Sequence, residues 1–342
     1  MRKILLVLLL CNQLATAQNL NNLSFGTDST FEVVSWNIEW FPKNGQTTAN
    51  YVETILTNLE ADIYALQEID DTTLLKQVVA NIPGYECYFK STYYGGLGYV
   101  YNTNTVQINN KYEIYTSQPF WNAFPRSPQV LDLTHNGKQY YVINNHLKCC
   151  GDGSLDMNNS SDEEMRRYMA VYYLKQYIDN NLANKNVIVV GDLNDELTDF
   201  ASHNVFQDFI TDPSNYLFAD MQIANSSNTN WSYPSWPSHL DHILITNELF
   251  DEFQNQNSYI STIKVDDYLS SWNQYDNNIS DHRPIGIRLV NGSISSISET
   301  QHNKNKLIKI TDLLGRESKK RKKQILFYLY DNGTVEKRIV VE

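Results

Sequence analysis

The most apolar stretch of this 342-residue sequence, residues 4–10, falls far short of a membrane span. No long apolar hairpin suited to docking on a lipid surface is present either, which weighs against a lipid substrate. Basic residues form no stripe between residues 18 and 290, and the formal net charge is -12. Together these argue against a broad cationic groove gripping duplex nucleic acid. They leave a phosphodiester substrate open, because bound cations can supply positive charge where the chemistry occurs. The glycine-rich run at 95–98 lacks the pattern of a phosphate-binding loop and reads as a tight hairpin. Cysteine is scarce, at four residues. Apolar and charged fractions are those of an ordinary soluble domain.

The first residues, MRKILLVLLLCNQLATAQ, combine Arg2 and Lys3, an apolar core and the small residues Ala15-Thr16-Ala17. That is the pattern of a signal peptide over residues 1–17, cleaved near Gln18, and it places the chain as secreted or on the cell surface. Leu10 before Cys11 is too bulky for a lipoprotein signal. Beyond the leader remain Cys87, Cys149 and Cys150, so at least one is unpaired or pairs between chains. A disulfide from Cys87 to one of the adjacent pair and a free buried thiol are equally compatible with the sequence.

Residues 187–195, VIVVGDLND, are the most informative stretch. The β-branched apolar run is too short for a helix and is bounded by Gly191, so it reads as a strand buried on both faces. Asp192 and Asn194 lie two apart at its carboxyl end, where extended backbone would turn both side chains to one side. A carboxylate beside an amide suits a hard cation and a phosphate oxygen. An Asx turn with Asp195 capping a following helix would use the same residues.

Similar strand ends recur along the chain. Residues 31–38, FEVVSWNI, form a strand ending at Asn37, and 61–69 form another ending in Gln67-Glu68. An amphipathic helix over 51–59 separates them, and Asp70-Asp71-Thr72 begins a further helix. A Glu directly after an apolar strand is costly to bury unless it meets a cation or a donor network. Residues 129–133 and 139–145 pair around His135-Asn136-Gly137, a hairpin that delivers His146 to a strand end. Asp162 to about Asn180 is a helix with acids in its first turn, completing a strand–helix–strand unit with 187–192. Arg166 and Arg167 on it are assigned to solvated or interhelix charge. Asp241 precedes the strand 241–245, and Asp281-His282 precede the strand 285–289.

SWNIEW, LQEI, NNHL, GDLND, SHLDHI and SDHRPI, in that order over residues 31–290, resemble the motif set of the endonuclease/exonuclease/phosphatase superfamily, the DNase I-like fold. Each is weak alone, and six in sequence are specific. The resemblance implies an α/β four-layer sandwich of two mostly antiparallel β-sheets flanked by helices. It also implies a metal site at Asn37, Glu68, Asp192 and Asp281, with Glu68 the principal ligand. Mg²⁺ is the implied cofactor, with Mn²⁺ or Ca²⁺ as alternatives. His146 would contact the scissile phosphate or protonate the leaving oxygen. Asp192 would position or deprotonate the attacking water, and Asn194 would hold a phosphate oxygen. Asp241 would orient His282, the acid–base group. Arg126 matches an Arg-x-Pro phosphate contact more loosely.

The physics fits those roles. A phosphodiester is anionic and repels hydroxide, so a site must neutralise charge and hold water in line. Trp231, Tyr233 and Trp236 either stack on a base or sugar or pack their own loop; Trp231 is taken here as the substrate-binding aromatic. The expected activity is metal-dependent phosphodiester hydrolysis of extracellular nucleic acid by a monomer. A phosphatase or phosphodiesterase acting on inositol phosphate or sphingomyelin is the alternative. A non-catalytic binding protein on the same scaffold is the remaining class.

Residues 291–306 turn polar and read as a linker. Residues 307–342 form a small β-rich unit with a hairpin turn at Asp331-Asn332-Gly333 and a basic stretch at 318–324. The basic stretch reads either as a positive turn or as a nucleic-acid arm. This tail resembles the C-terminal sorting domain of the type IX secretion system, whose machinery is the implied partner.

Overall fold

The computed structural model describes residues 19–89, 96–290, 307–312, 316–318, 325–330 and 335–339. The expected leader, the linker, the Asp331–Gly333 turn and nearly all of the basic stretch lie outside the described residues. By contacts the chain divides into two compact units, Met1–Asn291 and Gly292–Glu342.

In the first unit, strands and helices run β1 (Thr30–Phe41), α1 (Gly45–Leu59), β2 (Ile63–Ile69), α2 (Thr72–Ala80), β3 (Tyr85–Tyr88), β4 (Gly96–Asn102), β5 (Val106–Glu113) and β6 (Gln129–His135). There follow β7 (Lys138–His146), α3 (Glu163–Asn181), β8 (Val187–Asp192), β9 (Tyr216–Phe218), β10 (Asp241–Thr246), β11 (Tyr259–Thr262) and β12 (Ile285–Val290). Several short helical turns connect them. One six-stranded sheet has the order β11-β12-β1-β2-β4-β3 and the other β5-β6-β7-β8-β10-β9. Each has a single parallel pair near its centre, β1–β2 and β7–β8, and is otherwise antiparallel. A parallel pair needs a crossover, supplied by α1 in the first sheet and α3 in the second.

The period of two along each strand sorts its side chains between layers. Phe31 and Val33 of β1, Ile63 and Ala65 of β2, Tyr140 and Val142 of β7, Ile188 and Val190 of β8, and Ile243 and Ile245 of β10 meet in one core between the sheets. The alternate residues pack outward. Val34, Trp36 and Ile38 meet α1 and α2, and Val187 and Val189 meet α3. The result is the expected four-layer sandwich, helix–sheet–sheet–helix.

Local signals explain most boundaries. Asp71 caps α2 by accepting from the Leu74 N–H, and Asp162 caps α3 by accepting from Met165. The β6–β7 turn is Asn136-Gly137, with φ of 47° and 80°, as a two-residue primed turn requires. Helix α1 begins well before residue 51, because its first turn is polar (Gly45, Gln46, Thr47) and shows no apolar period until Ala49 and Val52. Strands β3, β5, β9 and β11 carry no clear sequence signal. All four are sheet edges, and in β3, β5 and β11 polar and half-buried residues replace a clean alternation.

In the second unit, β13 (Leu307–Thr311), β14 (Ile325–Tyr330) and β15 (Val335–Ile339) form a three-stranded antiparallel sheet.

Candidate active site

The inward-facing positions that hold apolar residues through the middle of the sandwich hold polar ones at one end. On β1 the series Phe31, Val33 continues as Ser35 and Asn37. On β7, Tyr140 and Val142 are followed by Asn144 and His146, and on β8, Ile188 and Val190 by Asp192. Strand β10 runs the opposite way, so its first inward residue, Asp241, arrives at the same end. It pairs directly with Asp192, and His146 pairs with Asp192 from the other side.

Just beneath lies a layer of amides. The Gln67 side-chain NH₂ donates to Ser35 Oγ, the Ala65 carbonyl and Asn144 Oδ1, and Asn144 Nδ2 donates to the carbonyls of Leu66 and Gly98. These bonds tie the two sheets together where side chains must be held in place rather than merely buried.

Glu68 reaches the cluster by a different route. Its place in the alternation is with Tyr64 and Leu66, toward the helices. A left-handed φ of 60° and a register shift against β4 between Leu66 and Ile69 turn it instead to the strand end. There Oε1 accepts from Asn37 Nδ2 at 3.1 Å, and Oε2 accepts from the Trp40 N–H at 3.1 Å. Such strain in a non-glycine residue costs of order 1–3 kcal/mol and persists only where surroundings enforce it. Gly191 is required for a related reason: at φ 144°, an added Cβ would lie 1.9 Å from the Asn145 carbonyl oxygen.

Asn37 Nδ2 also donates to Asp192 Oδ2 at 3.0 Å, while its oxygen accepts from the Glu39 N–H. Asn37 thus stands at the expected metal site, between Glu68 and Asp192. Two acceptor-only carboxylates draw its NH₂ inward, and it serves as the strut between them. His146 Nε2 lies 3.6 Å from Asp192 Oδ2 and 3.8 Å from Glu68 Oε1. Its Nδ1 is buried with no hydrogen-bond partner. Burial, reinforced by the positive charges of Arg126 and His282, holds the His146 imidazole well below its ordinary range, so the ring is neutral. Arg126 itself is half-buried and near enough to act on His146 electrostatically.

His282 Nδ1 donates to Asp241 Oδ2 at 2.7 Å, leaving Nε2 3.7 Å from Asp192 Oδ2 and 3.9 Å from Asp281 Oδ1. Burial opposes its charge, but Asp241 and Asp192 outweigh burial and push the imidazole up to about 10. Asp192 is pushed up to about 7, by burial first, with the His282 charge opposing and Asp241 adding to the rise. His282 is also held from its backbone: its N–H donates to Ser280 Oγ, and its carbonyl accepts from Tyr275 OH and Trp36 Nε1. The Tyr233 ring covers its face at 4.7 Å between centroids. Asp281 sits at the rim, its backbone N–H donating to Glu39 Oε2 at 2.8 Å.

Asn194 has φ 57°. Its N–H donates to Asp192 Oδ1 at 3.1 Å, and its side chain donates to the Leu147 carbonyl at 3.3 Å. The Asx turn is thus present, but no helix follows it, and Asp195 is instead paired with Arg167 at 2.7 Å. Arg167 is neither the solvated nor the interhelix charge expected. It is buried, also pairs with Glu164 at 3.2 Å, and donates to the carbonyls of Lys148 and Cys150. Trp231 is likewise corrected: its indole N–H donates to the Ile223 carbonyl and its ring packs on the inter-sheet core. The aromatic residues facing outward from that loop are Tyr233, over His282, and Trp236, 77 % exposed between the mutually bonded Tyr233 and Ser238. Alternation in a loop is undefined, so the sequence could not tell these aromatics apart.

The Endonuclease/Exonuclease/phosphatase family model matches residues 34–282. No curated protein matches significantly. Among solved structures, TDP2 of D. rerio complexed with a single-strand DNA product is 16 % identical, covering 77 % of this chain and 99 % of that one, with a TM-score of 0.57. The human Nocturnin catalytic domain with bound sulfate is 16 % identical over 76 % and 94 %, at 0.55. A mannosyl-6-phosphatase of Bacteroides thetaiotaomicron is 16 % identical over 76 % and 99 %, at 0.51.

Proposed function

The chain belongs to the Endonuclease/Exonuclease/phosphatase family, a family of phosphoesterase hydrolases, and from that premise we propose that it is an exported, metal-dependent nuclease acting on phosphodiester bonds of extracellular nucleic acid. One observation carries the reading: Glu68, His146, Asp192 and the Asp241–His282 pair, drawn from both sheets, meet at one end of the seam between them.

The donor set fits a hard divalent cation. Glu68 and Asp192 crowd together, among the described residues no cationic side chain bridges them, and Asp192 is pushed up to about 7 as a result of burial and neighbouring carboxylates. Glu68 and Asp192, with Asp281 at the rim, would hold Mg²⁺, or Mn²⁺ or Ca²⁺ in its place. When bound, such an ion neutralises phosphate charge.

The remaining chemistry belongs to the side chains. Asp192 orients the attacking water. His282, fixed through Nδ1 by Asp241, offers Nε2 for proton transfer. Neutral His146 can donate a hydrogen bond to a phosphoryl oxygen, but its one ring proton is too weakly acidic to be given to the leaving oxygen as the P–O bond breaks. Asn194 and Arg126 hold non-reacting phosphate oxygens. Tyr233 and Trp236 offer faces on which bases stack, which favours a nucleic acid over a small phosphoester.

Activity of the purified protein against plasmid DNA, RNA, a chromogenic phosphodiester, inositol phosphates and sphingomyelin, with and without EDTA, tests the reading. Hydrolysis of DNA or RNA that EDTA abolishes is expected. Activity surviving exhaustive chelation would overturn metal dependence, and a preference for inositol phosphates or sphingomyelin would overturn the substrate. Export through the type IX machinery predicts secreted protein lacking the first 17 residues and the unit after about residue 303, by intact mass.

A further inference from the structure

Three residues beyond His146 the chain presents two adjacent cysteines at the surface. Cys149 and Cys150 are both exposed, and the Cys150 thiol donates to Cys149 Sγ with the sulfurs 2.9 Å apart. Successive side chains in extended backbone point to opposite sides. Here Cys150 has φ 71° and Gly151 φ 113°, and this fold-back brings the two sulfurs together. Lys148 Nζ lies 3.6 Å from Cys149 Sγ. Cys87, by contrast, is half-buried on β3, packed against the core outside its own sheet.

Phosphoester hydrolysis has no use for these thiols. We propose that Cys149 and Cys150 are a redox modification site, a vicinal dithiol that closes reversibly to an intrachain disulfide by exchange with a small-molecule disulfide such as oxidised glutathione. Cys149 loses its proton and attacks one sulfur of the small disulfide, with the Lys148 ammonium beside the thiolate as it forms. The S–S bond breaks, and the first small thiol leaves, taking up a proton. The Cys150 thiolate then attacks the Cys149 sulfur and expels the second small thiol, which is likewise protonated. The protein is oxidised by two electrons and the small disulfide is reduced to two thiols. Adjacent Cα atoms are about 3.8 Å apart, below the ~4.4–6.8 Å usual for a disulfide, so the ring is strained and easily reduced. That suits a reversible modification rather than a structural bond.

The site is wired to the GDLND loop. Arg167 Nη1 donates to the carbonyls of Lys148 and Cys150, each at 2.7 Å, and its Nε donates to Asp195 Oδ2 at 2.7 Å. Closing the ring turns the Cys149–Cys150 peptide, which lies between the two peptides whose Lys148 and Cys150 carbonyls position Arg167. Asp195, three residues after Asp192, receives the change.

The test uses the full-length chain with Cys11→Ser and Cys87→Ser, leaving only the pair. After excess oxidised glutathione and an acid quench, both thiols should be lost with a mass decrease of about 2 Da, the two hydrogens removed, and dithiothreitol should restore both. Persistence of both thiols, a stable glutathione adduct on one of them, or a disulfide between two chains would each overturn the proposal. Cys149→Ser and Cys150→Ser, added singly to that background, should lose no hydrogens to a ring. Amide hydrogen exchange of residues 192–196 should differ between the oxidised and reduced forms, and identical exchange would overturn the link through Arg167. None of these readouts depends on hydrolysis.

Discussion

Strand β10 begins Asp241-His242, and these neighbours belong to two buried Asp–His pairs on opposite faces of one sheet. Asp241 faces inward and takes a hydrogen bond from His282 Nδ1 at 2.7 Å. His242 faces the helical layer, packed against Phe206 and Phe218, and donates from Nδ1 to Asp220 Oδ2 at 2.6 Å. The pairs match in chemistry, burial and distance and differ in what surrounds them. His242 Nε2 is closed off by the Asp195 carbonyl at 2.9 Å. Asp220 accepts further from His239 Nε2 and the Ile243 N–H. Around His282, among the described residues, Nε2 faces carboxylate oxygens at 3.7 and 3.9 Å, and Asp241 Oδ1 is buried without a partner.

A satisfied pair is a strut, and a pair with an unclosed nitrogen can do chemistry. Both nitrogens of His242 face acceptors, so both carry protons, and the ring is an imidazolium held between a carboxylate and a carbonyl. Burial opposes that charge, but Asp220 outweighs it and raises the imidazole, while the His242 and His239 rings hold the Asp220 carboxyl well below its usual range. The strut ties β10 to the Asp195 end of the β8 loop and so helps to place Asp192 and Asn194.

The largest effect that would sharpen this contrast is on rate. Asp241→Asn should slow hydrolysis by at least about 10²-fold, the scale of lost acid–base catalysis. Added to His282→Ala it should cost little more, because groups acting as one unit are strongly non-additive. A fully additive double mutant would show that the two act separately.

Next comes stability. Asp220→Asn leaves a buried imidazolium unpaired and should cost about 3–5 kcal/mol in urea unfolding. The rate per folded molecule should fall far less than in Asp241→Asn. His242→Gln, which retains a donor, should show the same split in milder form. A rate loss as deep as that of Asp241→Asn, with normal melting, would put the outer pair in the chemistry.

Glu68→Gln should move a third quantity, the metal requirement: weaker binding in a Mg²⁺ titration, with activity partly recovered at high Mg²⁺. Recovery by neither Mg²⁺ nor Mn²⁺ would count against Glu68 as the principal ligand.

The smallest effect is on pH dependence. The His242 imidazole is raised on folding, so its contribution is complete below the unfolded value of about 6.5 and is lost as pH rises through the higher folded value. The stability gap between wild type and His242→Gln should therefore narrow toward alkaline pH. A gap that widened would mean the buried ring is neutral.

Much of the inner pair was legible in the sequence. Asp241 and His282 adjoin apolar strands, and a charge there needs a reason. The outer pair was not, although His239 and His242 stand in the same SHLDHI motif. Asp220 lies 22 residues before His242, in a short turn after β9 with no period to mark which way it points. The same limit explains Arg167, on a helix whose apolar face is poorly defined because buried Glu164 and Arg167 interrupt it. It also explains Glu68, where alternation gives the wrong face and only a left-handed φ corrects it. Strand period carries information through regular backbone and fails where the backbone turns, which is where the site is built.

The central claim is that His282 Nε2 is the proton-transfer atom. It is tested most directly by the hydrolysis rate of His282→Ala at saturating Mg²⁺, measured with increasing added imidazole. The rate should start at least about 10²-fold below wild type, with a normal melt, and rise with imidazole as it enters the vacated space. A His282→Ala protein that melts normally and keeps most of its rate without imidazole would contradict the account.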